Sequence, residues 1–264
     1  MAEQTSLIKL KGNLDGISFF QSGGKHIARM ANSPDQQRIL KDPRFQRTRE
    51  NNSEFGGCSM VSKAFRQTFI SVVPMADARF TGRLTGIFKT INGQGDGIRG
   101  QRPIKITENR VQLVNVEFND HCSVTSLFTG VYTAGHCADR TSATITIDEV
   151  LMNNAALAPA GATHVVFTQA LGVVSNYAYD AALQCYAPLD AALDKLHAVT
   201  ESDFIALKDE TPLALTLVTV LPGNPVLNEN VSVVQCFGVS YYQLIKARYH
   251  PLPESRAIKV VKVF

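Results

Sequence analysis

The hydrophobic rhythm of the chain changes twice. SLIKLKG (residues 6–12) alternates from Ile8, with Ile8 and Leu10 facing one way and Lys9 and Lys11 the other, which predicts a strand. GISFFQ and KHIARM follow as two more short strands. Asn13-Leu14-Asp15-Gly16 and Ser22-Gly23-Gly24 are turn clusters of hairpin type. Residues 5–31 are therefore expected to form a small β-meander.

Helical signals come next. Ser33 reads as an N-cap with Pro34 at the first helical position, and Asp42-Pro43 repeats the signal. Over residues 44–73 the apolar positions are Phe45, Phe55, Met60, Val61, Ala64, Phe65, Phe69 and Val72, helically spaced from Val61 onward. Gly56-Gly57 is expected to kink or break this helix. Pro74 closes it, and Phe80, Leu84, Ile87, Phe88 and Ile91 mark one face of a second helix. The pair predicts a helical hairpin. NGQGDGIRGQRP (92–103) reads as a loop and a domain boundary, and GQGDGIRG (93–100) within it as a flexible linker.

From residue 104 the texture is strand-like. IKI (104–106) and RVQLVNVEF (110–118) open a series of β-branched and aromatic segments that runs to AIKVVKVF at the C-terminus. AALQCYAPLDAAL (181–193) reads as a short helix or a long loop. Eight or nine strands predict a mainly antiparallel β-sandwich, immunoglobulin-like in layout. The expected class is α+β. Residues 1–100 would be a basic region of β-meander plus helices, and residues 104–264 an acidic β-sandwich domain.

The runs LIKLKGNLDGISFF…KHIARM and DPRFQRTRENNSEFGG…SKAFR resemble an uncharacterised family of proteins from Bacteroidetes, and APAGATHVVF fits the β-region of the same family. The resemblance is discontinuous, from about residue 7 to residue 168, and FQRTRENNSEF is its most specific part. It implies fold texture and lineage. No activity and no catalytic residue come with it.

Composition narrows the picture. With 45% hydrophobic and 19% charged residues, the 264-residue chain can bury a core and is unlike a disordered one. Trp is absent, so 14 Phe and 7 Tyr must supply the aromatic packing. Five cysteines without a Cys-x-x-Cys pair read as small hydrophobes in a reducing compartment. No secretory signal is read near the N-terminus and no stretch has the length of a membrane span. Cytoplasmic synthesis is expected, with export by another route left open.

Charge is unevenly spread. Residues 1–110 hold 18 Lys and Arg against 9 Asp and Glu, whereas residues 111–264 hold 8 against 14. Such a split suits nucleic-acid binding, attraction within one molecule, or docking of one copy on the next.

VYTAGHCADR (131–140) looks like the histidine strand of a chymotrypsin-like protease. That chemistry also needs a buried Asp and an activated Ser beside an oxyanion hole. No serine after His136 lies between glycines, and the helical region before it does not match a double β-barrel, so a hydrolase is disfavoured. His121-Cys122 and His136-Cys137 could meet as zinc ligands, but adjacent strand residues do not readily reach one metal. SGGKH (22–26) fails the phosphate-loop spacing. Arg and Phe interleave in RFQRTRENNSEF and KAFRQTF, which suits either single-stranded nucleic acid or an amphipathic helix.

The sequence thus favours a non-enzymatic structural protein that self-assembles as a homo-oligomer, head to tail into a filament or tube. No cofactor is expected. The candidate assembly interface is Lys9, Lys11, Phe19, Phe20, Arg44, Arg47 and Arg49, because the short N-terminal strands need a partner sheet. Nucleic-acid binding through the basic half is the alternative.

Overall fold

The computed structural model describes residues 2–30 and 36–264. The helix start read at Ser33-Pro34 lies outside the described residues. The chain divides into two compact units, residues 1–49 and 50–264.

In the smaller unit, β1 (Ala2–Glu3), β2 (Gly12–Leu14), β3 (Ile17–Ser22) and β4 (Lys25–Met30) form one antiparallel sheet in the order β1-β4-β3-β2. Both hairpins turn where the turn clusters lie. Asp15-Gly16 and Gly23-Gly24 have positive φ at both central positions, the twist that a two-residue hairpin prefers. SLIKLKG, by contrast, is not a strand. The Gln4 side chain bonds the main chain of Leu10 at both its ends, and Lys9 bonds the Gln4 carbonyl, so the segment is looped. Leu7 and Ile8 are exposed. The short helix α1 (Gln36–Lys41) leads to Asp42, whose carboxylate accepts from the Arg44 N–H and caps a 3-10 turn at Pro43–Phe45. No described residue of this unit is buried.

The larger unit holds most of α2 (Gln46–Thr68), then α3 (Phe80–Gln94), α4 (Val124–Leu127) and α5 (Met152–Ala155). Its strands are β5 (Tyr132–His136), β6 (Ser142–Val150), β7 (His164–Ser175), β8 (Tyr177–Asp180), β9 (Cys185–Pro188), β10 (His197–Glu201), β11 (Ile205–Ala206), β12 (Leu213–Val220), β13 (Val231–Ile245) and β14 (Arg248–Val263). One antiparallel sheet runs β10-β7-β13-β14, with β11 also on β7, and a second runs β12-β6-β5. The fold is α+β with mostly antiparallel sheets, compatible with a β-sandwich.

Alternation along the long strands builds three layers. On β7 and β13, Val165, Phe167, Phe237 and Val239 face Ile145, Ile147 and Leu217 of the smaller sheet. The opposite parity, Ala170, Val174, Val234 and Cys236, faces Val61, Phe65, Leu84 and Phe88 of the two helices. Covered on both sides, residues 165–175 and 231–241 are buried without interruption. Their near-continuous apolar runs follow from that position. Without Trp, the helical layer is packed by phenylalanines: Phe65 meets Phe69 at 4.9 Å between centroids, and Phe80 stacks on Phe118 at 4.4 Å. Each such pair contributes about 1 kcal/mol beyond its buried area.

Several expectations are corrected by this packing. Val61, Ala64, Phe65, Phe69 and Val72 are buried, but Phe55 and Met60 point to solvent. RVQLVNVEF is not a strand. It forms a 3-10 turn at Arg110–Leu113 and a single bridge, Glu117 to Lys259, while Leu113 and Phe118 enter the helical layer of the core. AALQCYAPLDAAL contains β9, paired with β8. Gly56-Gly57 leaves α2 continuous.

One buried layer is unusually polar. Gln169, on the sandwich face of β7, is fully buried, and neither end of its amide meets a hydrogen-bonding partner in the protein. Removing both polar ends in Gln169→Met is expected to raise stability by about 1–3 kcal/mol. Urea unfolding of the two proteins measures it; a lower midpoint for the variant would show that the amide is satisfied in solution.

Candidate functional site

The most specific sequence element, FQRTRENNSEF, supplies the acid of a buried polar cluster. Helical spacing puts Glu50, Ser53 and Glu54 on one side of α2. Glu54 is fully buried, the class of residue that is almost never buried without a partner. Its Oε1 accepts from the Gly100 N–H at 2.9 Å and from Arg102 Nε at 2.8 Å. Its Oε2 accepts from Arg102 Nη2 at 2.8 Å and from Lys89 Nζ at 2.5 Å. Ser53 Oγ donates to the Gly100 carbonyl, and the Tyr186 hydroxyl donates to the Arg102 carbonyl. Asn92 Nδ2 donates to the same Arg102 carbonyl.

Burial by itself would raise the Glu54 pKa. The Arg102 and Lys89 hydrogen bonds and the Gly100 N–H outweigh it and hold the carboxyl at about 2. Nearby, burial pushes the Cys58 thiol up to about 11 and the Tyr186 hydroxyl up to about 12. With all its acceptor positions taken and its charge fixed, Glu54 has no proton to exchange near neutrality. The arrangement is a clamp that fastens α2 and α3 to residues 100–102.

This clamp corrects the reading of GQGDGIRG (93–100) as a flexible linker. Gly97 and Gly100 have positive φ, and a Cβ on Gly100 would sit 3.0 Å from the Glu50 Cα. Gly100 lets the backbone lie against α2 instead of loosening it. Glu54 is the buried charge that sequence reasoning passed over. Its signal was an acid on the apolar face, in step with Cys58, Val61 and Phe65.

The other candidate chemistry is dispersed. His136 ends β5 exposed, its ring stacked on Phe264 at 3.9 Å between centroids. Burial, then the nearby Lys262 and Arg140 charges, lower its pKa. Its charged neighbours are thus cations, where a catalytic triad places a carboxylate. Cys137 is the more buried of the two, and its thiol donates to Asp139 in the turn that follows. Cys122 instead packs against the sandwich core, and its thiol is raised first by burial. Among the described residues, no three His, Cys, Asp or Glu are grouped to hold a metal. All five cysteines are free, with Cys58 and Cys236 buried. SGGKH is the β3–β4 hairpin turn.

The proposed interface residues all lie in the smaller unit. Phe19 and Phe20 project from opposite faces of β3, and Arg29 lies 5.2 Å over the Phe20 ring. Arg44 pairs with Asp42 at 2.7 Å. Arg49 donates to the Ile39 and Asp42 carbonyls and so serves the local chain. Arg47 and Lys11 are exposed. No helix among the described residues is long and apolar enough to cross a membrane.

Neither a protein-family model, nor a curated protein, nor a solved structure matches this chain.

Proposed function

We propose that this chain is a non-enzymatic structural protein that self-assembles head to tail, each copy laying its N-terminal sheet on the larger unit of another copy. One observation carries the reading. Strand register puts Leu14, Ile17, Phe19 and Met30 on one face of the small sheet, and none of them is buried. A sheet of this size becomes stable when one face is covered, and a unit of 49 residues is too small for a secure core. Charge supports the same partner. Residues 1–49 carry nine Lys and Arg against four Asp and Glu, and residues 50–264 carry seventeen against nineteen. Contact between unlike surfaces of successive copies propagates as a filament or tube unless the rotation closes a ring. The two facing antiparallel sheets support an immunoglobulin-like reading of the larger unit, with the N-terminal meander as its assembly arm.

Light scattering and negative-stain electron microscopy test the proposal. The purified chain is expected to form large species, and Phe19→Asp to release monomers that keep the unfolding transition of the larger unit. A chain that stays monomeric at high concentration and shows no fibres would sink the idea.

Arg29 over Phe20, with Lys25 on the same face, favours a second reading, in which the basic unit binds single-stranded nucleic acid. Monomer binding that weakens steeply with added salt would support it.

A further inference from the structure

The larger unit also carries a cleft that none of the Glu54 partners lines. Its volume is about 780 Å³, and Lys105, Arg110, Arg140 and Asn230 line it, with Glu108 and Glu229. Glu108 and Glu229 are exposed, whereas both arginines are half-buried. Glu108 pairs with Lys105 at 2.8 Å. Among the described residues, no carboxylate pairs with either arginine.

The two arginines are held differently. Arg140 donates from Nη1 to the Val231 carbonyl and from Nη2 to the Leu227 and Asn228 carbonyls, so it is fixed in place by the loop it caps. Arg110 stands beside it on a 3-10 turn, and its buried Nε has no hydrogen-bond partner in the protein. Burial first, and then the Arg110 charge, pull the Arg140 guanidinium below its ordinary pKa. Two like charges side by side with no carboxylate between them are unfavourable for the protein alone. An anion between them would take charge-assisted hydrogen bonds from their outward N–H groups and remove the repulsion.

We infer that this cleft binds a phosphorylated small molecule, with the phosphate held between Arg110 and Arg140 and the organic part in the remaining volume. The size suits such a ligand, since small-molecule sites span about 300–1,000 Å³. Arginine forks match phosphate oxygens two at a time, and Arg140 is already immobilised, which lowers the ordering cost of binding. The inference concerns residues 103–230 only and stands independently of self-assembly.

Titration calorimetry of the full chain with pyrophosphate at low ionic strength tests it. Saturable binding is expected. Arg110→Ala should weaken it roughly tenfold or more, the loss of one or two charge-assisted hydrogen bonds. Arg110→Lys should retain part of it, and Lys208→Ala, an exposed charge outside the cleft, should leave it unchanged. Pyrophosphate should also raise the melting temperature of the natural chain and not that of Arg110→Ala. Arg110 is the variant of choice because Arg140 holds the 227–231 loop. Absence of binding, equal weakening by Lys208→Ala, or no effect of Arg110→Ala overturns the site. Tighter binding of citrate than of pyrophosphate overturns its assignment to phosphate.

Discussion

Glu54→Ala is expected to destabilise the larger unit by about 3–5 kcal/mol, the usual cost of removing one partner from a buried ion cluster. Arg102 and Lys89 would be left facing each other without a counter-charge, and the Gly100 N–H would lose its acceptor. Denaturant unfolding followed by circular dichroism measures the loss. A change below about 1 kcal/mol would mean that the cluster behaves as a solvated surface pair.

The pH profile gives the same prediction a second form. Folding lowers the Glu54 pKa from 4.5 to about 2. A depressed carboxyl contributes stability that is complete above its unfolded value and is lost as pH falls through the folded one. The natural chain should therefore weaken between about pH 5 and pH 2, and Glu54→Ala should show a shallower slope across that window. Some slope should remain. Burial raises the Asp77 carboxyl, but the Asp120 N–H, Arg83 and the Arg79 N–H hold it at about 2 as well.

The neighbouring glycines Gly56 and Gly57 should respond to the same substitution with opposite signs. Gly56 is exposed with open space around its missing Cβ, so Gly56→Ala should stabilise α2 by about 1 kcal/mol through helix propensity. A Cβ on Gly57 would sit 2.5 Å from Cγ and Cδ2 of Tyr186. That ring is buried, and its hydroxyl is tied to the Arg102 carbonyl, so it cannot swing away cheaply. Gly57→Ala should cost about 1–3 kcal/mol for overpacking, against which the propensity gain is the smaller term. Equal stabilisation by both substitutions would show that α2 does not lie on β9 as described.

Gly57 also shows why the glycine pair was misread. In the sequence, two glycines in a helical pattern look like a weak point. In the structure one of them is the place where a helix meets a tyrosine ring. Gly172 serves the same end on β7, where a Cβ would overlap Thr68 and Phe69. Close approach is a relation between residues far apart in the chain, and local spacing carries no trace of it. RVQLVNVEF fails for a related reason. Its β-branched texture predicts a strand, but Leu113 and Phe118 reach the core from a 3-10 turn and a single bridge.

Period and turn chemistry were legible without help. The spacing of Val61, Phe65 and Phe69, and of Phe80, Leu84, Phe88 and Ile91, identified both helices and their buried faces. Asp15-Gly16 and Gly23-Gly24 located two hairpins, because few residues tolerate positive φ at adjacent positions. The long β-branched runs of β7 and β13 marked strands; that both faces of each are covered was not legible.

What the sequence determined by itself was therefore local: the two long helices and the long core strands, the apolar side of each helix, and where the hairpins turn. Those follow from side-chain period and backbone sterics within a few residues. Only the tertiary structure decided that Glu54 is a fixed charge, that residues 95–100 are fastened instead of free, that His136 faces cations, and that Arg110 and Arg140 share a cleft. Each of these depends on which distant groups converge, and convergence is set by packing of the whole unit.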